Sequence, residues 1–298
     1  MNTSVLSTMG VEASQFEDTL KAGDLDWSPL ADKVAGLDTG VEMPRKTLLY
    51  RSDTKAPLGI VGDHYSATTP REFLRSQYEF AEFVKGRVAR AGFIGDRSRA
   101  FALIEIEKIN LPREIRQKGD PVSVFIYSTD GWDGGTPQKS RLYLERLSCA
   151  NGMTSRVISS SLWNSHTKDR EERYERKWKV FLNEVQKTAG EIREEFITLA
   201  KTRMTGEQMQ DFLKTLLPGE STLTEKKRGS MLNLFSVGEG NEGASRWDAL
   251  NAVTEYVTHH RTYRDTDVSD RAVNRFLGVL ETDTLRDRAM ELLLVSRN

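Results

Sequence analysis

The sequence predicts an α+β protein: a central antiparallel β-sheet of about four or more strands packed by helices, then a long helix and a helical C-terminal region. Apolar residues recur with period two between about residues 93 and 163, the signature of half-buried strands. Past His166 the period changes to 3.6 and stays there, which is the helical repeat. The stretches between the period-two runs are Lys118-Gly119-Asp120, residues 130–135 (Asp-Gly-Trp-Asp-Gly-Gly) and Asn151-Gly152, the turn chemistry a meander needs.

Taken in order, residues 1–42 hold eight acids against Lys21 and Lys33, with weak helical periodicity at Phe16, Leu20 and Leu25. They are expected to form an acidic, partly ordered N-terminal arm. Residues 47–50 and 58–61 are short β-type runs. Thr69-Pro70-Arg71-Glu72 is a helix start, with Pro at the first helical position and an acid in the first turn. That helix is expected to run to about Ala91 and stop at Gly92, burying Phe73, Phe80, Phe83, Val84 and Val88. Strands are expected at about 100–109, 121–128 and 142–149, with a weaker fourth at 156–163.

Thr167 suits an N-cap for a helix over about 168–203, whose stripe is Tyr174, Trp178, Phe181, Leu182, Val185, Ile192, Phe196 and Leu199. Shorter helices are expected at about 205–217, 223–235, 244–264, 268–280 and 282–296. The chain thus divides into the arm (1–42), an α+β core with the long helix (43–203), and a helical region packed on it (204–298).

Composition excludes several classes. With 38% hydrophobic and 29% charged residues the chain is an ordinary globular one. No apolar run approaches the roughly 20 residues needed to cross a bilayer. The first residues lack a basic and apolar leader, so the expected location is the cytoplasm. Cys149 is the only cysteine, which excludes an intramolecular disulfide and a cysteine-based structural zinc site.

The net charge of −1 conceals an uneven distribution. Residues 43–138 carry fifteen bases and twelve acids, and residues 139–206 carry fourteen bases and nine acids. A basic middle between acidic ends is what a polyanion-binding surface requires.

Catalytic motifs are scarce. There is no G-x-S-x-G elbow and no Walker-type loop. Residues 238–243 match G-x-G-x-x-G, yet they follow a helical stretch and contain two acids that would repel a pyrophosphate, so they are expected to form an interhelical loop. His259 and His260 are adjacent and point about 100° apart on a helix, although Glu255 lies four residues before His259. No metal or cofactor is expected from His64, His166, His259 and His260. Asp130 and Asp133 have the spacing of a cation-binding pair, but Asp beside Gly is also ordinary turn composition. Cys149, beside Leu147, is expected to be a small core residue.

Four stretches resemble a phage- and plasmid-like protein family of unknown function. They are residues 58–65 (Leu-Gly-Ile-Val-Gly-Asp-His-Tyr, "LG-x-V-x-x-x-Y"), 148–153 ("C-A-N"), Ser165-His166-Thr167 ("HT") and 247–259 ("NA-x-x-E-Y-x-x-H"). The resemblance runs from about residue 47 to 265. It implies a setting on prophages, phages or conjugative plasmids, in accessory or DNA-metabolism regions, and brings no residue roles.

The expected function is therefore that of a non-enzymatic, DNA-associated mobile-element protein that binds or anneals single strands, acting as a homo-oligomer. The order of three strands followed by a long helix is also similar to the core of phage single-strand annealing proteins. Candidate contacts are Arg87, Arg90, Arg97 and Arg99 at the entry to the first central strand, Lys139, Arg141 and Arg146 on the third, and Trp132 at a glycine-rich tip. Cations would take phosphates and the indole would stack on a base. The alternatives are a protein-binding accessory factor, such as a host-defence antagonist, and a hydrolase using Asp130, Asp133 and His166.

Overall fold

The computed structural model describes residues 12–94, 98–110, 121–146, 151–154, 162–164, 166–167, 170–260 and 284–295. Among them lie strands β1 (Pro29–Ala35), β2 (Glu42–Arg51), β3 (Pro57–Gly62), β4 (Arg87–Ile94), β5 (Arg99–Asn110), β6 (Pro121–Gly131), β7 (Gln138–Arg146), β8 (Asn151–Thr154) and β9 (Leu162–Asn164). The helices are α1 (Glu12–Ala22), α2 (Pro70–Phe83), α3 (Arg170–Lys201), α4 (Gly206–Leu216), α5 (Thr222–Val237), α6 (Arg246–Glu255) and α7 (Thr284–Val295). The class is α+β, as the sequence implies. One sheet is three-stranded, in the order β1-β2-β3; the other has the order β4-β5-β6-β7-β8, with β9 also pairing with β7.

The chain forms two compact units. The first comprises residues 1–106, 126–141 and 160–184, the second residues 107–125, 142–159 and 185–298.

In the first unit, α2 starts where the sequence placed it. The Thr69 hydroxyl accepts from the Glu72 amide at 3.1 Å, and the Glu72 carboxylate accepts from the Thr69 amide at 2.7 Å, a capping box ahead of Pro70. Phe73, Leu74, Gln77, Phe80 and Ala81 make its buried face. It ends at Phe83, well short of the expected Ala91. Lys85 takes a left-handed φ of 55°, and Gly86 abuts the Glu105 carbonyl too closely for a Cβ. Residues 87–94 are consequently the strand β4, antiparallel to β5. Val88 is buried as expected, but from a strand.

The N-terminal segment, expected as a partly ordered acidic arm, carries α1 and β1. Phe16, Leu20, Leu25 and Trp27 are buried, and Arg71 bridges Glu17 at 2.6 Å and Asp26 at 3.0 Å. The acids of this stretch are partly spent on such pairs. Arg51, 2% exposed, is likewise held by Asp24 and Asp53, each at 2.8 Å, with its guanidinium 4.8 Å over the Trp27 ring. Burial of a guanidinium requires this saturation of its donors.

One turn expectation fails. Asn151 and Gly152 pair with Arg146 and Glu145 within β8, so they form a strand rather than a turn. Helix α3 is described from Arg170; residues 168–169, on which the expected cap at Thr167 depends, lie outside the described residues. The stripe of α3 is as expected at Phe181, Leu182, Val185, Ile192, Phe196 and Leu199, all buried. Gly190 is tolerated mid-helix because it is exposed and meets nothing.

In the second unit, α4, α5 and α6 begin at Thr205, Ser221 and Ser245, each accepting a backbone N–H from the first turn. Trp247 is fully buried, its ring 4.7 Å from that of Phe196. Helix α6 continues into a π-turn at Tyr256–His260. The helix expected at 268–280 and the strand segment 156–161 lie outside the described residues. Among the described residues no helix is long and apolar enough to cross a membrane.

Candidate functional site

The site is built in the first unit from three segments: the end of β6, the loop leading into α2, and the approach to α3. Strand β6 is buried along 122–131, so Asp130 is placed with a side chain that is 0% exposed. A carboxylate there must be saturated. Its Oδ1 accepts from the Gly131 amide at 3.0 Å and lies 2.9 Å from His166 Nε2. Its Oδ2 accepts from the Thr68 hydroxyl at 3.1 Å.

The loop into α2 binds the same neighbourhood. The Tyr65 hydroxyl donates to the Gly131 carbonyl at 2.8 Å, and the Tyr65 ring stacks on His166 at 4.8 Å and 24°. The Ser66 amide donates to the His166 carbonyl at 3.0 Å. The imidazole is thus fixed by a carboxylate at its edge and an aromatic ring on its face.

Beside the pair opens a cleft of about 380 Å³, lined by residues 62–65, 134–137, His166 and Thr167. Its rim carries His64, largely exposed, with Nε2 3.6 Å from Asp63 Oδ1. Arg45 Nε stands 3.9 Å from Asp63 on the other side.

Residues 133–136 form the opposite wall as a side-chain-capped turn. Asp133 Oδ1 accepts from the Gly135 and Thr136 amides at 2.9 and 2.6 Å, and Oδ2 from the Thr136 hydroxyl at 2.6 Å. Gly134 has φ +80°, which favours glycine. Burial pushes the Asp133 carboxyl up, yet the Thr136 hydroxyl, the Thr136 and Gly135 amides and the charge of Arg99 together hold it below the usual value. Asp133 therefore shapes the wall, while Asp130 partners the histidine. The sequence had grouped Asp130, Asp133 and His166; the fold brings Asp130 to His166 and commits Asp133 to the turn.

The candidate nucleic-acid contacts are dispersed. An extra residue at Ala89 shifts the β4–β5 register, so that Arg87 and Arg90 stand opposite Glu105 and Leu103, which share one face of β5. Both arginines are exposed, and Arg87 is ion-paired with Glu105. Arg99 acts on Asp133. Lys139 and Arg141 are half-buried and alternate with buried Gln138, Ser140 and Leu142 on β7, which puts the two cations on one face. Arg97 and the side chain of Arg146 lie outside the described residues.

Trp132 corrects its expected role. It is fully buried, 5.3 Å from Trp27 and 6.0 Å from Phe93, and its indole N–H donates to the Thr68 carbonyl at 2.6 Å. No face of the ring is open to stack on a base.

Sequence reasoning did not assign Tyr65, Thr68 and Thr167 to a site. A signal was present, since Tyr65, His166 and Thr167 fall in two of the segments that carry the family resemblance. The side chains of Cys149 and His259 are outside the described residues. Residues 238–243 form the interhelical loop expected of them. The Glu242, Ala244 and Ser245 amides all donate to the buried Asp248 carboxylate, at 3.1–3.2 Å. An internal anion already occupies the helix N-terminus where a phosphate would sit.

The profile of one protein family, described as DUF932, a domain of unknown function, matches residues 57–279. No curated protein and no solved structure matches the chain.

Proposed function

The chain belongs to the DUF932 family, and from that premise we propose that it is a nucleic-acid-associated protein that holds single strands through their phosphates. The observation that carries this reading is the bulge at Ala89, which turns Arg87 and Arg90 to one side of an edge strand. Lys139 and Arg141, two residues apart on β7, add a second pair of cations on one strand face. Because Trp132 is enclosed, the contact would be to backbone and independent of base identity, the electrostatic mode that dominates non-specific binding. Glu105 compensates Arg87, which lowers the contribution expected of that residue.

Fluorescence anisotropy with a labelled oligonucleotide tests this. Affinity should fall steeply between about 50 and 200 mM salt. Arg90→Ala and Arg141→Ala should each weaken binding to every sequence and flatten the salt slope by about 0.7 per lost contact. Absence of binding at about 50 mM salt overturns the reading.

One observation favours a protein partner instead. Leu37, Val41 and Met43 near the turn between β1 and β2 are exposed, Leu37 completely. Clustered apolar exposure of this kind marks docking surfaces. A folded Leu37→Ser, Val41→Ser variant that keeps oligonucleotide binding but loses a stoichiometric protein partner would support that second reading.

A further inference from the structure

We propose that Asn251 and Glu255 of α6, at the C-terminus of α5, bind a hard divalent cation, Ca²⁺ or Mg²⁺. The site lies wholly in the second unit, and the proposal does not depend on the binding of single strands. Asn251 and Glu255 are the asparagine and the glutamate of the "NA-x-x-E-Y-x-x-H" segment. One helical turn apart, they share a face of α6, and the π-turn begins at the next residue, Tyr256.

Asn251 is 0% exposed, and its Nδ2 donates to the Trp247 carbonyl at 2.7 Å. A carbonyl only accepts, so the amide cannot be turned over. Its Oδ1 is thereby fixed on the other branch, where it receives no hydrogen bond. Glu255 Oε2 is likewise buried and receives none. Among the described residues no base pairs with this carboxylate. Helical side chains lean toward the N-terminus, which carries the Glu255 carboxylate back over the turn of Asn251.

The surroundings of Glu255 are negative. Its Oε2 would lie 2.6 Å from a Cβ on Gly238, the C-cap of α5. The last turn of a helix presents carbonyl oxygens and the negative pole of its dipole. Asp248 is buried on the same face of α6, and Glu239 and Glu242 are exposed in the adjoining loop. Arg246 and Arg286 donate to the Leu293 and Thr254 carbonyls. Two acceptors without donors in such a field suit a positive guest and repel an anion. Carboxylate and amide oxygens, with no thiolate or imidazole, select a hard cation. Among the described residues no three His, Cys, Asp or Glu side chains converge, so water completes the coordination shell, as Mg²⁺ and Ca²⁺ both allow. Affinity is accordingly expected at the weak end of calcium sites, about 0.1–1 mM. The bound ion would tie α6 to the end of α5.

The test is thermal unfolding of the full chain, stripped of metal with EDTA and desalted, then titrated with CaCl₂ or MgCl₂. Isothermal calorimetry is run beside it, with NaCl at matched ionic strength as the control. One or both divalent ions should raise the melting temperature saturably, since they bind the folded state, and NaCl should not. Glu255→Gln keeps the shape, removes the charge and should weaken binding about tenfold or more. Without metal this variant should be at least as stable as the parent, because an uncompensated carboxylate has gone. Asn251→Asp adds a second carboxylate, so it should tighten binding about tenfold and lower the metal-free melting temperature. A parent with no saturable response to either ion overturns the proposal. A response that Glu255→Gln retains in full overturns it too. So does a metal-free Glu255→Gln that melts well below the parent, which would show that the protein itself holds the carboxylate.

Discussion

Gly59 and Asp133 are in backbone contact: a Cβ on Gly59 would lie 2.6 Å from the Asp133 carbonyl oxygen and carbonyl carbon. This contact sets β3 against the turn that forms one wall of the cleft. Gly59→Ala must displace backbone, since the obstructing atoms are not the far end of a flexible side chain. We expect a loss of about 1–3 kcal/mol, measured by urea denaturation. An alanine variant as stable as the parent would show that the strand and the turn are not held this closely.

Trp132 distinguishes packing from base recognition. Trp132→Ala should cost about 3–5 kcal/mol by emptying a buried site. Trp132→Phe should cost about 1–3 kcal/mol, because the Thr68 carbonyl loses its indole donor. Folded Trp132→Phe should bind a labelled oligonucleotide as the parent does. A drop in affinity without a drop in thermal stability would return the ring to the binding surface.

The start of α2 is set by Thr69, whose side chain accepts from the Glu72 amide. Thr69→Ala should remove about 1 kcal/mol of stability, and Thr69→Ser or Thr69→Asp should restore most of it. Chemical denaturation of the three variants decides this. Equal losses in all three would point to the threonine methyl rather than the cap.

Acid should loosen the wall of the cleft. The Asp133 carboxyl is held below its ordinary value in the fold, so the folded state binds its proton less readily than the unfolded chain. Its contribution is present above the unfolded carboxylate value of about 3.9 and disappears as pH falls through the lower folded value. Asp133→Asn should therefore flatten the decline of melting temperature below about pH 4. A variant whose acid profile superimposes on the parent's would sink this assignment.

In the second unit, Asp248 gathers three loop amides and the Ser245 hydroxyl. Asp248→Ala would leave buried donors without an acceptor, at a cost of about 2–4 kcal/mol. Adding a nucleoside triphosphate should produce no stabilising shift that depends on residues 238–243, because the loop already holds an anion. A stabilising shift that depends on residues 238–243 would reopen the glycine pattern as a phosphate loop.

By itself the sequence determined what depends on local periodicity and capping. The alternation over 100–109 and 121–128 places two strands, the stripe from Phe181 to Leu199 encodes a buried helix face, and Thr69-Pro70 with Glu72 encodes a helix start, so β5, β6, α2 and α3 were legible; that β6 is buried on both faces was not. Tertiary structure decided what depends on partners distant in sequence. Val88 fits a helix and a strand equally; β4 forms because Gly86 lies against Glu105 and residues 87–94 find a ladder on β5. Trp132 looks exposed in a glycine-rich turn until Trp27 and Phe93, brought from far along the chain, enclose it. The meeting of Asp130 with His166, 36 positions apart, has no period and no motif. It follows from a buried carboxylate needing a partner, and only the fold supplies which one.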